Sequence, residues 1–407
     1  MVREIKFDNL DECCVCNSTK LEILLDLPRL PHIGIYLNPN DDQSAYPPID
    51  NTLMYCHSCG HIQLGRAIDP SFLYTSDFQH KTSESSSAKQ ANNFLFKFTK
   101  EILKARPPEL VAEIGCNDTF FLSKFVDNYK STVIGVDPIL KGKEDLFISS
   151  ISNENKKFFK VSGKFIEEID FKEEFGKSPD LIITNFVFEH LKNPSSVVKA
   201  MLKSMSDSGI GIIGVPSAEF MVLNARYDQL SHQHYQQFSI KTLHLLIERC
   251  GGEVIEHKVN FTNWGQVVIA FKKSNNAIDI SQNFEKLSIN YILSSIDKFK
   301  KDIINFKDKC DLLITTNKNI LGFGAAQNFP IFHYFCDGEV PFQIIIDDHP
   351  LRQNKVFPYV SNISTSKPNL NYQGEIGVLT GPDYARVLFS RMGALEFDHI
   401  ISPFSSY

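Results

Sequence analysis

The 407-residue sequence has one tryptophan, Trp264, and no apolar run approaching the roughly 20 residues of a membrane-spanning helix. It also lacks an excess of positive charge: 42 Lys and Arg stand against 48 Asp and Glu, for a net charge of −6. That balance argues against a protein devoted to polymeric nucleic acid, which needs a basic face to neutralise phosphates. Residues Met1 to Phe7 lack the apolar core of a signal peptide, so a cytoplasmic location is expected, with no membrane partner. Glycine is scarce where a dinucleotide fingerprint would need it. The turn after the first strong strand signal holds Gly115 alone, not G-x-G-x-x-G. Hydrophobic content of 43% and charged content of 22% allow a globular core, and the length suggests two or three domains.

What is present begins with three apolar runs, each ending in polar residues. Leu110, Val111 and Ala112 lead into Glu113-x-Gly115 and a polar turn at Asn117 and Asp118, with a helix predicted from Phe120. Thr132 to Val136 ends at Asp137-Pro138, and Asp180 to Thr184 opens onto Asn185-Phe-Val-Phe-Glu-His190. Parallel strands with polar carboxyl ends build a ligand crevice there. An acidic residue closing the second strand suits ribose hydroxyls. The pattern resembles an S-adenosylmethionine-dependent methyltransferase. That donor carries no phosphate, so carboxylates and a close backbone turn must hold an amino acid and a nucleoside. Glu113, Gly115, Asn117, Asp118, Asp137, Asn185 and Phe186 are the candidate donor-binding residues, and Glu189-His190-Leu191 with Pro194 resembles a common ending of that fold.

Four of the nine cysteines, Cys13, Cys16, Cys56 and Cys59, form two C-x-x-C knuckles, the second followed by Gly60. Thiolates so spaced can meet on one tetrahedral Zn²⁺, and four protein ligands leave no open catalytic position. A structural zinc site is expected, with reduced, unliganded cysteines as the alternative. Cys116, Cys250, Cys310 and Cys336 read as small buried hydrophobes.

The expected class is α/β with three domains. Residues 1–75, rich in proline, form a small loop-rich zinc-binding domain that needs a metal to supplement its core. Residues 76–275 form a doubly wound Rossmann-like methyltransferase domain. Residues 276–407 open with a helical stretch over Ser281 to Asn317, whose apolar residues mostly fit one face. They continue as a second Rossmann-like unit, with Gly322-x-Gly324 either a ligand loop or tight strand–helix packing.

Taken together, the chain resembles the sugar C-methyltransferases that act on nucleotide-linked keto-deoxysugars. Cys56-His-Ser-Cys-Gly-His-Ile-Gln-Leu64 is similar to that family's second knuckle, and Glu113-Ile-Gly-Cys-Asn-Asp118 to its E-I-G-x-N-D-G motif. Tyr227-Asp228 through Ser231-His-Gln-His-Tyr-Gln-Gln-Phe-Ser239 is similar to its F-D-x-x-Y-H-E-H-x-x-Y-F-S segment. Gly322-Phe-Gly-Ala-Ala326 and Asp347-Asp-His-Pro350 resemble its G-Y-G-A-A and D-D-N-P motifs. The resemblance spans nearly the whole chain. It implies a nucleotide-sugar substrate, S-adenosylmethionine and a structural zinc. It also implies an enolate formed beside a keto group by a histidine base, with His234 in the base position and His190 a second histidine near the donor.

The sequence departs from the pattern at chemically important places. Gln233 stands for the glutamate before the base, Ser231 for a tyrosine, and Thr119 for the glycine closing the donor loop. His80, within Phe78–Ser83, stands where a phenol is expected, and Asn263-Trp-Gly-Gln266 replaces H-G-G-S. His234, His190, Gln233 and His80 are the candidate catalytic residues, Gln233 being expected to fix the His234 ring without charging it. The departures keep other readings in view: O- or N-methylation of a sugar or other small molecule, or a non-catalytic sugar-nucleotide-binding relative. A zinc-ribbon modifier of nucleic acid is disfavoured by the charge.

Overall fold

The computed structural model describes residues 5–73, 82–104, 106–149, 151–261, 265–274, 281–315, 319–360, 362–369, 371–380 and 385–404. The three apolar runs form adjacent strands of a seven-stranded sheet. In spatial order its strands are Gly252–Asn260, Gln266–Lys273, Ile210–Pro216, Leu181–Asn185, Leu110–Ile114, Thr132–Val136 and Phe159–Ser162. The last five are mutually parallel, while Gln266–Lys273 runs antiparallel to both neighbours. Helices cover both faces, so the parallel strands are mostly apolar, with polar residues gathered near their carboxyl ends; Val111, Val133, Ile134, Ile182 and Ile213 are all fully buried. The strand order reverses between Leu110–Ile114 and Leu181–Asn185, where an open α/β sheet leaves a crevice.

A helix over Ser86–Leu103 precedes the first of these strands, and the Ser85 side chain accepts the Ala88 N–H and caps it. The helix expected over Ser281–Asn317 is shorter, Ile289–Ile314. Its predicted first turns are diverted into contacts with other parts of the chain. Tyr55 Oη donates to the Leu287 carbonyl, Lys241 Nζ to that of Phe284, and Lys286 Nζ to that of His57.

The amino-terminal domain is less separate than its sequence suggests. Its four-stranded antiparallel sheet runs Leu21–Leu30, Ile49–Cys56, Ile62–Leu64 and then Gln236–Gln237. That last strand comes from the middle of the chain and pairs Gln236 with Gln63 and Gln237 with Ile62. One apolar core runs from Leu27, Leu53 and Leu64 through Tyr227 and Leu230 to Phe299 and Phe329. The expectation of a small core supplemented only by metal is therefore revised: this domain shares its core with the long helix and the carboxyl-terminal sheet.

The carboxyl-terminal sheet is a five-stranded parallel one, in the order Ser364–Ser366, Ile344–Ile346, Ile320–Phe323, Ile376–Leu379 and His399–Ile401. At Gly322 a Cβ would lie 2.9 Å from Ile345 Cγ1 and 3.0 Å from Phe342 Cε2, so close packing requires this glycine. Asp347 accepts the Ala325 and His349 N–H groups, each at 2.7 Å, and thereby fastens the glycine loop to the next strand.

Two buried histidines away from the donor crevice make stability sensitive to acid. Burial pulls His32 and His244 to about 4; the His257 ring beside His244 lowers it further, while the Pro47 carbonyl partly offsets the effect at His32. Unfolded histidine titrates near 6.5, and one pKa unit is about 1.4 kcal/mol. Each ring therefore contributes fully above about pH 6.5 and loses that contribution as pH falls toward about 4. Denaturant titrations should show stability falling by on the order of 2–3 kcal/mol per ring over this window. His244→Leu should flatten the profile; equal slopes in the two proteins would contradict this.

Candidate active site

The donor crevice is assembled from three strand ends. Glu113, the penultimate residue of its strand, is 5% exposed, and its Oε2 has no hydrogen-bond partner. Burial, reinforced by the nearby charges of Asp118 and Asp137, pushes its carboxyl well above the usual range. A cation docking there would relieve a costly buried acceptor. Gly115 follows at φ +69°, and a Cβ on it would lie 2.3 Å from Val187 Cγ2. Glycine is required here by conformation and by space alike.

Asp137 closes the next strand and clamps the turn. Its Oδ2 accepts the Asn117 N–H at 3.1 Å and its Oδ1 that of Ile139 at 3.1 Å. Burial raises its pKa, and those two bonds pull it back. Asn117 sits at φ +53°, and its side chain accepts the Thr82 N–H at 3.3 Å. Asp118 accepts the N–H groups of Phe120 (2.9 Å) and Ser83 (2.8 Å), fixing both the start of the helix Phe120–Tyr129 and the chain entering the helix Ser86–Leu103. Asn185 is likewise bound within the fold: its Nδ2 donates to Asn92 Oδ1 (3.1 Å), and its Oδ1 accepts from Gln266 Nε2 (2.8 Å). Phe186 follows at φ +55°, its N–H on the Gly214 carbonyl. The contacts of Asn92 and Gln266 with Asn185 escaped the sequence reading because this partner lies on a strand distant in sequence.

His190 and His234, distant in sequence, meet with ring centroids 4.9 Å apart. His190 closes the short helical turn Phe188–His190 after the strand Leu181–Asn185. Its Nδ1 lies 2.7 Å from the Gln233 backbone carbonyl; a carbonyl only accepts, so Nδ1 carries a proton and donates it there. Burial, aided by the neighbouring His190, lowers His234 to about 3 and so keeps it neutral. Glu189 is 2% exposed, its Oε2 has no partner, and burial raises its pKa to about 8. The Gln233 side chain does not reach the His234 ring as expected; its Nε2 donates to the Ile33 carbonyl at 3.4 Å, because the backbone here turns this residue toward the amino-terminal domain. His80 lies outside the described residues, as does Trp264.

The four expected cysteines converge, with all Sγ atoms within 4.8 Å of one another. Cys13 and Cys59 are 3.6 Å apart and Cys16 and Cys56 3.5 Å. A zinc with bonds of about 2.3 Å would set tetrahedral sulfurs about 3.8 Å apart, so the donor set fits the ion with little movement. Four crowded sulfurs cannot all be thiolates without a cation between them.

Comparison with known proteins agrees with this division. Residues 87–257 match a family model described as "Methyltransferase domain", and residues 13–74 one described as "Putative zinc binding domain". C-methyltransferase NovU of Streptomyces niveus is 22% identical over 263 residues, a match covering 64% of this chain and 60% of that protein. A tRNA U34 carboxymethyltransferase of Helicobacter pylori is 28% identical over 102 residues, covering 25% of this chain and 38% of the relative. Among solved structures, N-methyltransferase NodS from Bradyrhizobium japonicum is 14% identical with a TM-score of 0.34, covering 46% of this chain and 96% of that one, too distant to carry an argument. No helix among the described residues is long and apolar enough to cross a membrane. The chain thus carries a region that matches a methyltransferase-domain model behind one that matches a zinc-binding model.

Proposed function

We propose that this protein transfers a methyl group from S-adenosylmethionine to a carbon of a nucleotide-linked keto sugar, with His234 as the base. The observation that carries the reading is the meeting of His190 and His234 beside the strand ends of the donor crevice. The likeness to NovU, a C-methyltransferase by name, and the resemblance of Ser231–Ser239 to the sugar C-methyltransferase segment support the substrate class.

Glu113 and Asp137 suit the two polar ends of the donor: a buried carboxylate with an unpartnered oxygen for the amino-acid end, and a strand-end carboxylate for the ribose hydroxyls. Bound S-adenosylmethionine supplies an electrophilic methyl group on sulfur. Zinc would be held by Cys13, Cys16, Cys56 and Cys59 and would supply structure alone. On the acceptor, a carbonyl acidifies the adjacent C–H, and His234 takes that proton. The burial that keeps its ring unprotonated also weakens it as a base, so the acceptor carbonyl carries much of the activation. His190, its Nδ1 anchored to the Gln233 carbonyl, keeps a fixed ring beside the base.

The test of donor binding is calorimetry on the full chain. Asp137→Ala should weaken binding by on the order of 1–3 kcal/mol, the usual scale for a charge-assisted hydrogen bond. Unchanged affinity in a Glu113→Ala, Asp137→Ala double variant would contradict the donor site. Labelled methyl transfer onto nucleotide sugars, with RNA offered in parallel, tests the acceptor; label on RNA alone would reject it.

A further inference from the structure

We propose that Glu189, His190 and His234 also form a binding site for a divalent transition-metal cation of the zinc or nickel class, and that a cation held there arrests methyl transfer by occupying the base. The second half rests on the reading of His234 given above; the first stands on geometry.

One ligand atom from each of the three residues lies within 4.8 Å of the others, and Glu189 Oε1 is 3.9 Å from His190 Nε2. A zinc with nitrogen and oxygen ligands at about 2.1 Å would set them about 3.4 Å apart, so side-chain rotations of about 1 Å close the set. The hydrogen bond from His190 Nδ1 to the Gln233 carbonyl is the arrangement that orients a ligating imidazole through its other nitrogen. Glu189, 2% exposed with an unpartnered Oε2, is a buried acceptor awaiting a donor or a cation. Two imidazoles and one carboxylate favour a borderline cation over Mg²⁺ or Ca²⁺, which prefer all-oxygen sites. Three protein ligands leave a coordination position open, unlike the four-cysteine set. A ring nitrogen of His234 that binds the cation has no lone pair left to accept a proton, so occupancy and proton removal exclude one another.

The test uses the full-length protein dialysed against Ni²⁺, so that elemental analysis counts nickel apart from zinc. One nickel per chain is expected beyond the cysteine-bound metal. Glu189→Gln and His190→Gln together should abolish it with the zinc content unchanged. Should that variant lose zinc or its circular dichroism, wild-type protein answers instead: nickel should protect His190 and His234 from diethyl pyrocarbonate, read by peptide mapping. Saturating nickel should lower turnover at least tenfold, restored by a chelator too weak to remove the zinc. The proposal is overturned if no nickel binds, if nickel binds the folded variant equally, if it gives no protection, or if turnover is unchanged or stimulated. Nickel stoichiometry is read without any turnover, so failure of the metal site and failure of the methyl-transfer reading give different results.

Discussion

His234→Ala should lower turnover by about 10²–10⁴-fold, the usual range for loss of a general base, while donor affinity measured by calorimetry stays at the wild-type value. The separation is expected because the ring neighbour of His234 is His190, whereas donor binding is assigned to Glu113 and Asp137 at the ends of two strands. Exchange of the acceptor's carbon-bound hydrogen with solvent deuterium should fall in parallel. If His234→Ala methylates the acceptor at near wild-type rate, the base lies elsewhere. If wild-type protein methylates without any exchange, an oxygen or nitrogen acceptor replaces carbon in the reading.

Cys56→Ser should remove the metal and unfold the amino-terminal domain. Cys56 is fully buried, ends the strand Ile49–Cys56 and lies 3.5 Å from Cys16, so its replacement disturbs both the ligand set and a strand end. In small zinc modules metal binding supplies about 10–16 kcal/mol of folding free energy, more than the total stability of most domains. Here the shared core with the long helix and the carboxyl-terminal sheet offsets part of the loss, so cleavage by protease should appear first in residues 5–73. The expected readout is zinc well below one per chain, early proteolysis of that segment and retained donor binding. One zinc per chain in the variant, with wild-type protease resistance, would contradict the assignment.

Much of this was legible in the residues because it depends on local order. The strand ends at Glu113, Asp137 and Asn185 follow from apolar runs closed by polar residues, and the cysteine pairs from their spacing. Gly115 was legible as a turn, but its second duty, leaving room for Val187, was not, since the contact crosses between strands. The same limit hid the clamp by Asp137 on the Asn117 amide and the bridging of Asn185 between Asn92 and Gln266. Glu189 was read only as part of a motif, and its burial without a hydrogen-bond partner is a property of the folded environment. The direction of the Gln233 side chain, toward Ile33 and away from His234, depends on a backbone path that spacing does not encode. The contact between the first two domains was also hidden, because the pairing of Gln236 with Gln63 joins residues far apart in the chain.

That pairing would give a zinc held by the four cysteines a reach beyond its own domain. Gln236 and Gln237 lie two and three residues past His234, and their hydrogen-bonding edge is Ile62–Gln63, just after Cys59. A polypeptide cut to residues 76–275 would therefore keep the strand ends that face the donor and lose the edge against which the histidine segment is laid. On the mechanism proposed, such a fragment recognises its donor and leaves the acceptor untouched. On the same reading, full-length chains made without zinc would share the defect, and the supply of a metal that never meets the substrate would set how much of the protein can turn over.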